Sequence, residues 1–238
     1  MRSVNTLAGH ALTGAEHPPL RVHGRKRSHR ISIAGGLLLD GLLPLLCAPL
    51  DVAAQNPMQM FSPACRGLWL EIGFGDGGHL ARQAAAHPQI GFIGCEPYIN
   101  GVAHLLEAIA AQGLPNIRIH PGDARVLLAA LPPASIARIY ILFPDPWPRK
   151  RHHKRRFMAA ENMAALARVL RPGGELCFAT DSEDYWQSTL ALLNAHPDFA
   201  PTGQARDDAP MTRYEAKAVA AGRTPHYLRF IRVQPGAL

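Results

Sequence analysis

From Leu68 onward, short apolar runs alternate with stretches of helical periodicity, and this alternation restricts the fold more than any other feature of the sequence. The runs at 68–72, 91–96, 117–120, 137–143 and 175–180 are each closed by Gly, Pro, Asp or Glu, the pattern of strands buried on both faces of a sheet. Between the fourth and fifth runs, Phe157, Ala160, Met163, Leu166 and Leu170 recur at helical spacing until Pro172-Gly173-Gly174 stops them. Strands that alternate with helices build a parallel sheet. A last pair of strands is expected near Phe199 and over 227–233. The expected fold class is α/β, with a mostly parallel central sheet and helices on both faces.

The 238 residues suffice for one such domain with an extension. Residues 1–20 carry no pattern and are expected to form a disordered tail, 21–65 a basic extension with a short helix, and 66–238 the catalytic domain. Arg21, Arg25, Lys26, Arg27 and Arg30 precede an apolar run over 33–50, roughly the layout of an export signal. That run is cut by Asp40 and Pro44 and is shorter than the roughly 20 apolar residues that span a bilayer. Residues 37–46 therefore read as a short amphipathic helix packed on the domain, and the protein as cytoplasmic, without a membrane partner. Cys47, Cys65, Cys95 and Cys177 lie far apart without CxxC spacing, so reduced thiols are expected. None of the 12 histidines joins a cluster with metal-ligand spacing, so no metal is expected.

Leu70-Glu71-Ile72-Gly73-Phe74-Gly75-Asp76-Gly77-Gly78 follows the first strand and precedes a helix, where glycines let the backbone turn sharply and approach a nucleotide-sized ligand. Gly73, Gly75 and Gly78 satisfy a Rossmann-like dinucleotide pattern, so the loop alone does not separate NAD from S-adenosyl-L-methionine. Glu71, just before the first glycine, suits the ammonium and sulfonium of S-adenosyl-L-methionine and would repel a pyrophosphate. Glu96 ends the second strand at the usual place of a ribose-binding acid, and Asp123 follows the third strand, near where an adenine amino group would lie. A single Asp in such a turn is more often a helix N-cap. Three acids at three successive strand ends favour ligand binding.

After the fourth strand, Phe143-Pro144-Asp145-Pro146-Trp147-Pro148 is held extended by its prolines, which places Asp145 and Trp147 over the crevice. Behind it, Arg149-Lys150-Arg151-His152-His153-Lys154-Arg155-Arg156 has six permanent cations in eight residues. A charge run is usually a solvated helix face, but here the cations gather at the expected start of a helix, where the dipole disfavours them. A phosphate backbone brought to the crevice explains their number and place. The whole chain is also basic, with 25 Lys and Arg against 18 Asp and Glu.

The segments LEIGFGDG, GCE, GDA, FPDPWPRKRHHKRR, ATDSEDY and TRYE resemble, in order and spacing, the bacterial tRNA (guanine-N7-)-methyltransferases. The resemblance runs from about Leu20 to Val233 and includes Val22–Arg27 and Leu39–Pro44 in the extension. It implies a Rossmann-like class I methyltransferase fold and S-adenosyl-L-methionine bound by Glu71, Gly73, Gly75, Glu96, Asp123 and Asp145, with Asp145 catalytic. It further implies target guanosine held by Arg149, Asp181, Thr212, Arg213, Tyr214 and Glu215, and tRNA met by Arg151, His152, His153, Lys154, Arg155 and Arg156. Arg149 stands where the family usually has lysine, and a guanidinium presents different donor geometry. Trp147 or Tyr214 would replace stacking lost when the base is exposed. A monomer or weak homodimer is expected. The alternatives are a methyltransferase of another RNA or of protein, or a non-catalytic RNA-binding protein.

Overall fold

The computed structural model describes residues 30–203 and 212–234. The tail at 1–20 and the cations Arg21, Arg25, Lys26 and Arg27 lie outside the described residues. The described chain begins with helices α1 (Ile33–Gly41), α2 (Leu43–Leu46) and α3 (Leu50–Gln55) and a 3₁₀ turn at Pro57–Met60. There follow β1 (Leu68–Ile72), α4 (Gly78–Ala86), β2 (Gly91–Cys95), α5 (Ile99–Gln112), β3 (Ile117–His120), α6 (Ala124–Ala130) and β4 (Ile136–Leu142). A 3₁₀ helix (Lys150–Arg155), α7 (Ala160–Val169), β5 (Leu170–Thr180), α8 (Glu183–Asn194), β6 (Phe199–Pro201), α9 (Arg213–Ala220) and β7 (His226–Arg232) complete it.

The seven strands lie in the order β3-β2-β1-β4-β5-β7-β6. β1 to β5 are mutually parallel, and β7 pairs antiparallel with both β5 and β6. The apolar runs produce this because the sheet is covered on both sides. Leu70, Ile72, Ile93, Ile139, Ile141, Leu176 and Phe178 pack with α6, α7 and α8 in one core, and Phe92, Ile117 and Ile119 pack with α4 and α5 in the other. The strand order reverses between β1 and β4, which opens a crevice at their carboxyl ends.

Three expectations change in detail. The apolar segment over 37–46 is two helices, because Pro44 in the first turn of α2 brings no backbone N–H and the chain turns at Leu42. Nor is it cleanly amphipathic: Leu38, Leu39, Leu42, Leu43 and Leu46 pack on the α4–α5 core, while Ile33, Leu37 and Leu45 face solvent. From there the extension rounds the β3 edge, where the Ala48 N–H donates to the Ile119 carbonyl at 2.8 Å, and α3 continues to α6. This backbone bond blunts the sheet edge.

The helix expected over 157–170 is confined to Ala160–Val169. The chain is extended at Ala159 before it begins, and it enters β5 at Leu170, so Pro172-Gly173-Gly174 sits inside an irregular strand. The basic run consequently belongs to a separate 3₁₀ helix and not to the first turn of α7. The expected opposition between these charges and the dipole of an α-helix N-terminus therefore does not arise.

Helix α5 abuts the glycine loop so closely that a Cβ on Gly101 would fall 1.9 Å from the Gly75 carbonyl oxygen. Gly101→Ala is expected to destabilise the fold by about 1–3 kcal/mol through overpacking. Gly36→Ala, in a helix with nothing within 4 Å of the new methyl, should be neutral or stabilising. Denaturant midpoints of the two variants check the contrast.

Candidate active site

The loop after β1 turns through left-handed backbone at Gly73 (φ 75°), Gly75 (φ 60°) and Gly77 (φ 74°). It is held from outside by Glu96, directly after β2. One Glu96 oxygen accepts the Gly75 N–H at 2.8 Å and the other accepts the Tyr98 N–H at 2.9 Å. Burial first, and then the charges of Asp145 and Glu71, raise the pKa of this carboxyl to about 7 against the pull of those two hydrogen bonds. That mutual influence places the acids from the ends of β1, β2 and β4 in one electrostatic neighbourhood.

Asp145 follows β4 in a backbone turned to left-handed φ at Phe143 (50°) and Trp147 (45°). Such conformations in bulky residues are strained and persist only where the surroundings enforce them. Here the Phe143 N–H donates to the Ala179 carbonyl at 2.7 Å, and the Arg156 guanidinium donates to the Pro146 carbonyl at 2.9 Å. Desolvation pushes the Asp145 carboxyl above its ordinary value. Trp147 does not stand free for stacking: the Arg155 guanidinium lies 4.8 Å from its ring and the His152 ring meets it edge-on at 6.0 Å.

Asp123 caps α6, accepting the Arg125 N–H at 3.0 Å, while the Arg125 side chain grips both its oxygens. Burial would raise this carboxyl, but Arg125 outweighs it and holds the group below its ordinary value. Gly73 has open space where a Cβ would point. A glycine-lined opening ringed by anions fits a cationic nucleoside such as S-adenosyl-L-methionine and is poorly suited to a pyrophosphate.

At the opposite rim, Thr212 and Glu215 form a capping box at the start of α9, which turns its first residues onto the glycine loop. Tyr214 lies against Gly75, where a Cβ would come within 2.9 Å of its ring, and Arg213 pairs with Asp76 at 3.3 Å.

A family model described as a putative methyltransferase matches residues 66–228. The tRNA (guanine-N(7)-)-methyltransferase of Nitrobacter winogradskyi is 45% identical, covering 91% of this chain and 88% of the relative. That of Bradyrhizobium diazoefficiens is 46% identical over 88% and 92% of the two chains. The chain belongs to the tRNA (guanine-N(7)-)-methyltransferase family. Among solved structures, a 16S rRNA (adenine(1408)-N(1))-methyltransferase mutant from Catenulisporales acidiphilia superposes with a TM-score of 0.52 at 21% identity, covering 72% of this chain and 88% of the other. That likeness establishes the class I methyltransferase fold.

Within this member of the tRNA (guanine-N(7)-)-methyltransferases, several residues expected to meet ligand are engaged with protein. Arg156 departs furthest from its expected contact with tRNA. Only 4% of its side chain is exposed; it lies over the Tyr185 ring, donates to Ser188 Oγ at 3.2 Å, and pairs with Asp184. It is a strut between the Asp145 loop and α8. Asp181, after β5, pairs with Arg223 at 2.6 Å. Glu215 is buried, with the Tyr227 hydroxyl donating to it. Arg149, Lys150, Arg151 and Lys154 remain exposed beside Asp145, with His152, His153 and Arg155 partly covered. Sequence reasoning missed Arg125, Arg223 and Asp184. Arg125 had a local signal, two residues after an N-cap Asp; the others pair across 42 and 28 residues, which no spacing reveals.

If Arg156 braces the loop, Arg156→Ala should lower kcat at least tenfold while leaving the salt dependence of tRNA binding unchanged. Lys154→Ala should reduce that slope by about one, as expected for one phosphate contact. Glu96 sets a pH dependence. Its buried neutral form is favoured, so its contribution to stability is present below the ordinary carboxylate range and lost as pH rises through about 7. If Glu96 accepts from ribose hydroxyls, as the sequence resemblance implies, they bind the anion better and cofactor affinity should rise across the same interval. Calorimetric titrations between pH 6 and 8 should show that rise, and Glu96→Gln should abolish it.

Proposed function

We infer that this chain transfers a methyl group from S-adenosyl-L-methionine to N7 of a guanine in the variable loop of tRNA. The observation that carries the reading is the position of Asp145. It sits on an enforced, strained turn at the topological switch point, shares its electrostatic neighbourhood with Glu96, and leads straight into the exposed cations of the 3₁₀ helix. Relatives of similar length that carry this activity in their names, at 43–53% identity, support it.

When bound, S-adenosyl-L-methionine supplies an electrophilic methyl on a sulfonium. Glu71, Glu96 and Asp123 hold its cationic and nucleoside parts, with the glycine loop as floor. Guanine N7 carries a free lone pair, so no residue of the chain has to remove a proton before transfer. The task left to the protein is placement, which by itself supplies several kcal/mol. Asp145 and Asp181 accept hydrogen bonds from the N1 and N2 edge of the base and offset the positive charge that develops on the ring. Arg223 holds Asp181 Oδ2, so Oδ1 is the atom left for the base. Arg149, Thr212 and Arg213 complete the nucleoside site, Glu215 contributing through the capping box, and Tyr214 provides the stacking ring because Trp147 is engaged by Arg155. Arg151, His152, His153, Lys154 and Arg155 face the tRNA backbone, and the enzyme acts in the cytoplasm, where tRNA is matured. Among the described residues no helix is long and apolar enough to cross a membrane.

Purified protein, methyl-labelled S-adenosyl-L-methionine and unmodified tRNA transcript test this directly. Nucleoside analysis should find the label in 7-methylguanosine, and Asp145→Asn should lose about a hundredfold or more in rate with tRNA binding intact. No incorporation, or label in another base or in protein, would overturn the assignment.

A further inference from the structure

Beneath the glycine loop lies a chain of buried polar side chains that the transfer reaction does not yet use. His79, in the first turn of α4, places Nδ1 2.7 Å from Glu71 Oε2, and its Nε2 lies 3.3 Å from Gln83 Nε2 one turn further on. Glu71, His79 and Gln83 are only 3%, 5% and 6% exposed, and the Tyr140 ring meets the imidazole edge-on at 4.8 Å.

The chemistry of the donors fixes the tautomer. An amide nitrogen only donates, so His79 Nε2 must present its lone pair to Gln83, which leaves the proton on Nδ1. The neutral imidazole thus donates to Glu71 and compensates one oxygen of a carboxylate taken out of water. His79 engages Glu71 Oε2 and not Oε1, while the charge of Glu71 reaches Glu96 across the crevice. A buried anion with one oxygen fixed from behind is an aimed acceptor, with the imidazole setting the direction of the other oxygen.

We propose that His79, locked by Gln83, is a positioning residue that orients the Glu71 carboxylate towards the α-ammonium of the methyl donor. The proposal rests on the assignment of Glu71 to the cofactor made above. It accounts for a histidine in the first turn of α4, where an ordinary helix former would pack the core without polar cost, and for a glutamine facing it inside the protein.

Calorimetry of S-adenosyl-L-methionine and of 5′-methylthioadenosine, which keeps the nucleoside but lacks the ammonium and sulfonium, separates positioning from simple structure. His79→Leu should weaken S-adenosyl-L-methionine binding at least tenfold with methylthioadenosine binding and tRNA KM within twofold of the parent. His79→Asn, which restores a side-chain N–H donor, should recover most of the loss. Glu71→Gln should show a similar loss, and the double variant His79→Leu, Glu71→Gln should be no worse than either single. Equal weakening towards both ligands, or unchanged affinity in His79→Leu alongside a loss in Glu71→Gln, overturns the positioning role and leaves Glu71 assigned. If Glu71→Gln binds normally, the assignment of Glu71 itself fails and the proposal with it. Should His79→Leu not fold, Gln83→Met removes only the group that fixes the tautomer, and the same ligand pair decides the matter.

Discussion

The carboxyl of Glu96 ties the loop after β1 to the start of the segment after β2, just beyond the point where the two strands stop pairing. A loop with left-handed glycines at 73, 75 and 77 has few side chains with which to define its own path, so its shape depends on what grips it. Glu96 grips through the Gly75 N–H, α5 presses on the Gly75 carbonyl at Gly101, and α9 leans on the same residue through Tyr214. The hold is made with an acid whose burial, together with two other acids nearby, keeps its pKa high. A cationic ligand relieves that crowding, so the groups that shape the loop also select the sign of charge it accepts.

The second element, the Asp145 loop, is braced independently. Two bulky residues in left-handed backbone cost on the order of 1–3 kcal/mol each, and prolines alone do not enforce that shape. The bracing comes from β5 through Ala179, and from α8 through Asp184 and Arg156. α9 then connects the two halves of the crevice, touching the glycine loop at its beginning and Asp181 through Arg223 just beyond its end. The glycine loop and the Asp145 loop are thus fixed by separate supports on either side of the switch point, which suits the placement that the proposed transfer demands.

The elements between Leu68 and Thr180 were legible because burial on both faces leaves continuous apolar runs, and the strand-end acids were legible because topology alone brings strand ends together. What spacing did not reveal was which polar groups are consumed inside the protein. Arg156 reads like its neighbours in a basic run, yet one more residue of chain turns it inward under Pro146. Thr212 and Glu215 look like ligand contacts in sequence and form a helix cap in the structure, although a cap that aims Tyr214 at Gly75 serves the site indirectly. His79 carried no signal, since its partnership with Glu71 crosses the very loop that makes the motif recognisable.

The same distinction changes the meaning of the net charge. Arg125, Arg138, Arg223 and Arg229 pair with carboxylates of the chain, and Arg168 and Arg232 donate to backbone carbonyls of Leu131 and Leu170. Their charges are spent on holding strands and helix ends together and contribute little outward field. Arg149, Lys150, Arg151 and Lys154 are exposed beside Asp145, and residues 149–156 contain no acid of their own. A field concentrated at the mouth of the crevice steers a polyanion to the place where the transferable methyl would lie, whereas the same +7 spread evenly would only raise non-specific affinity. On the proposed function, substrate capture depends on which cations the fold leaves unburied, and Arg156 marks the boundary between the two populations.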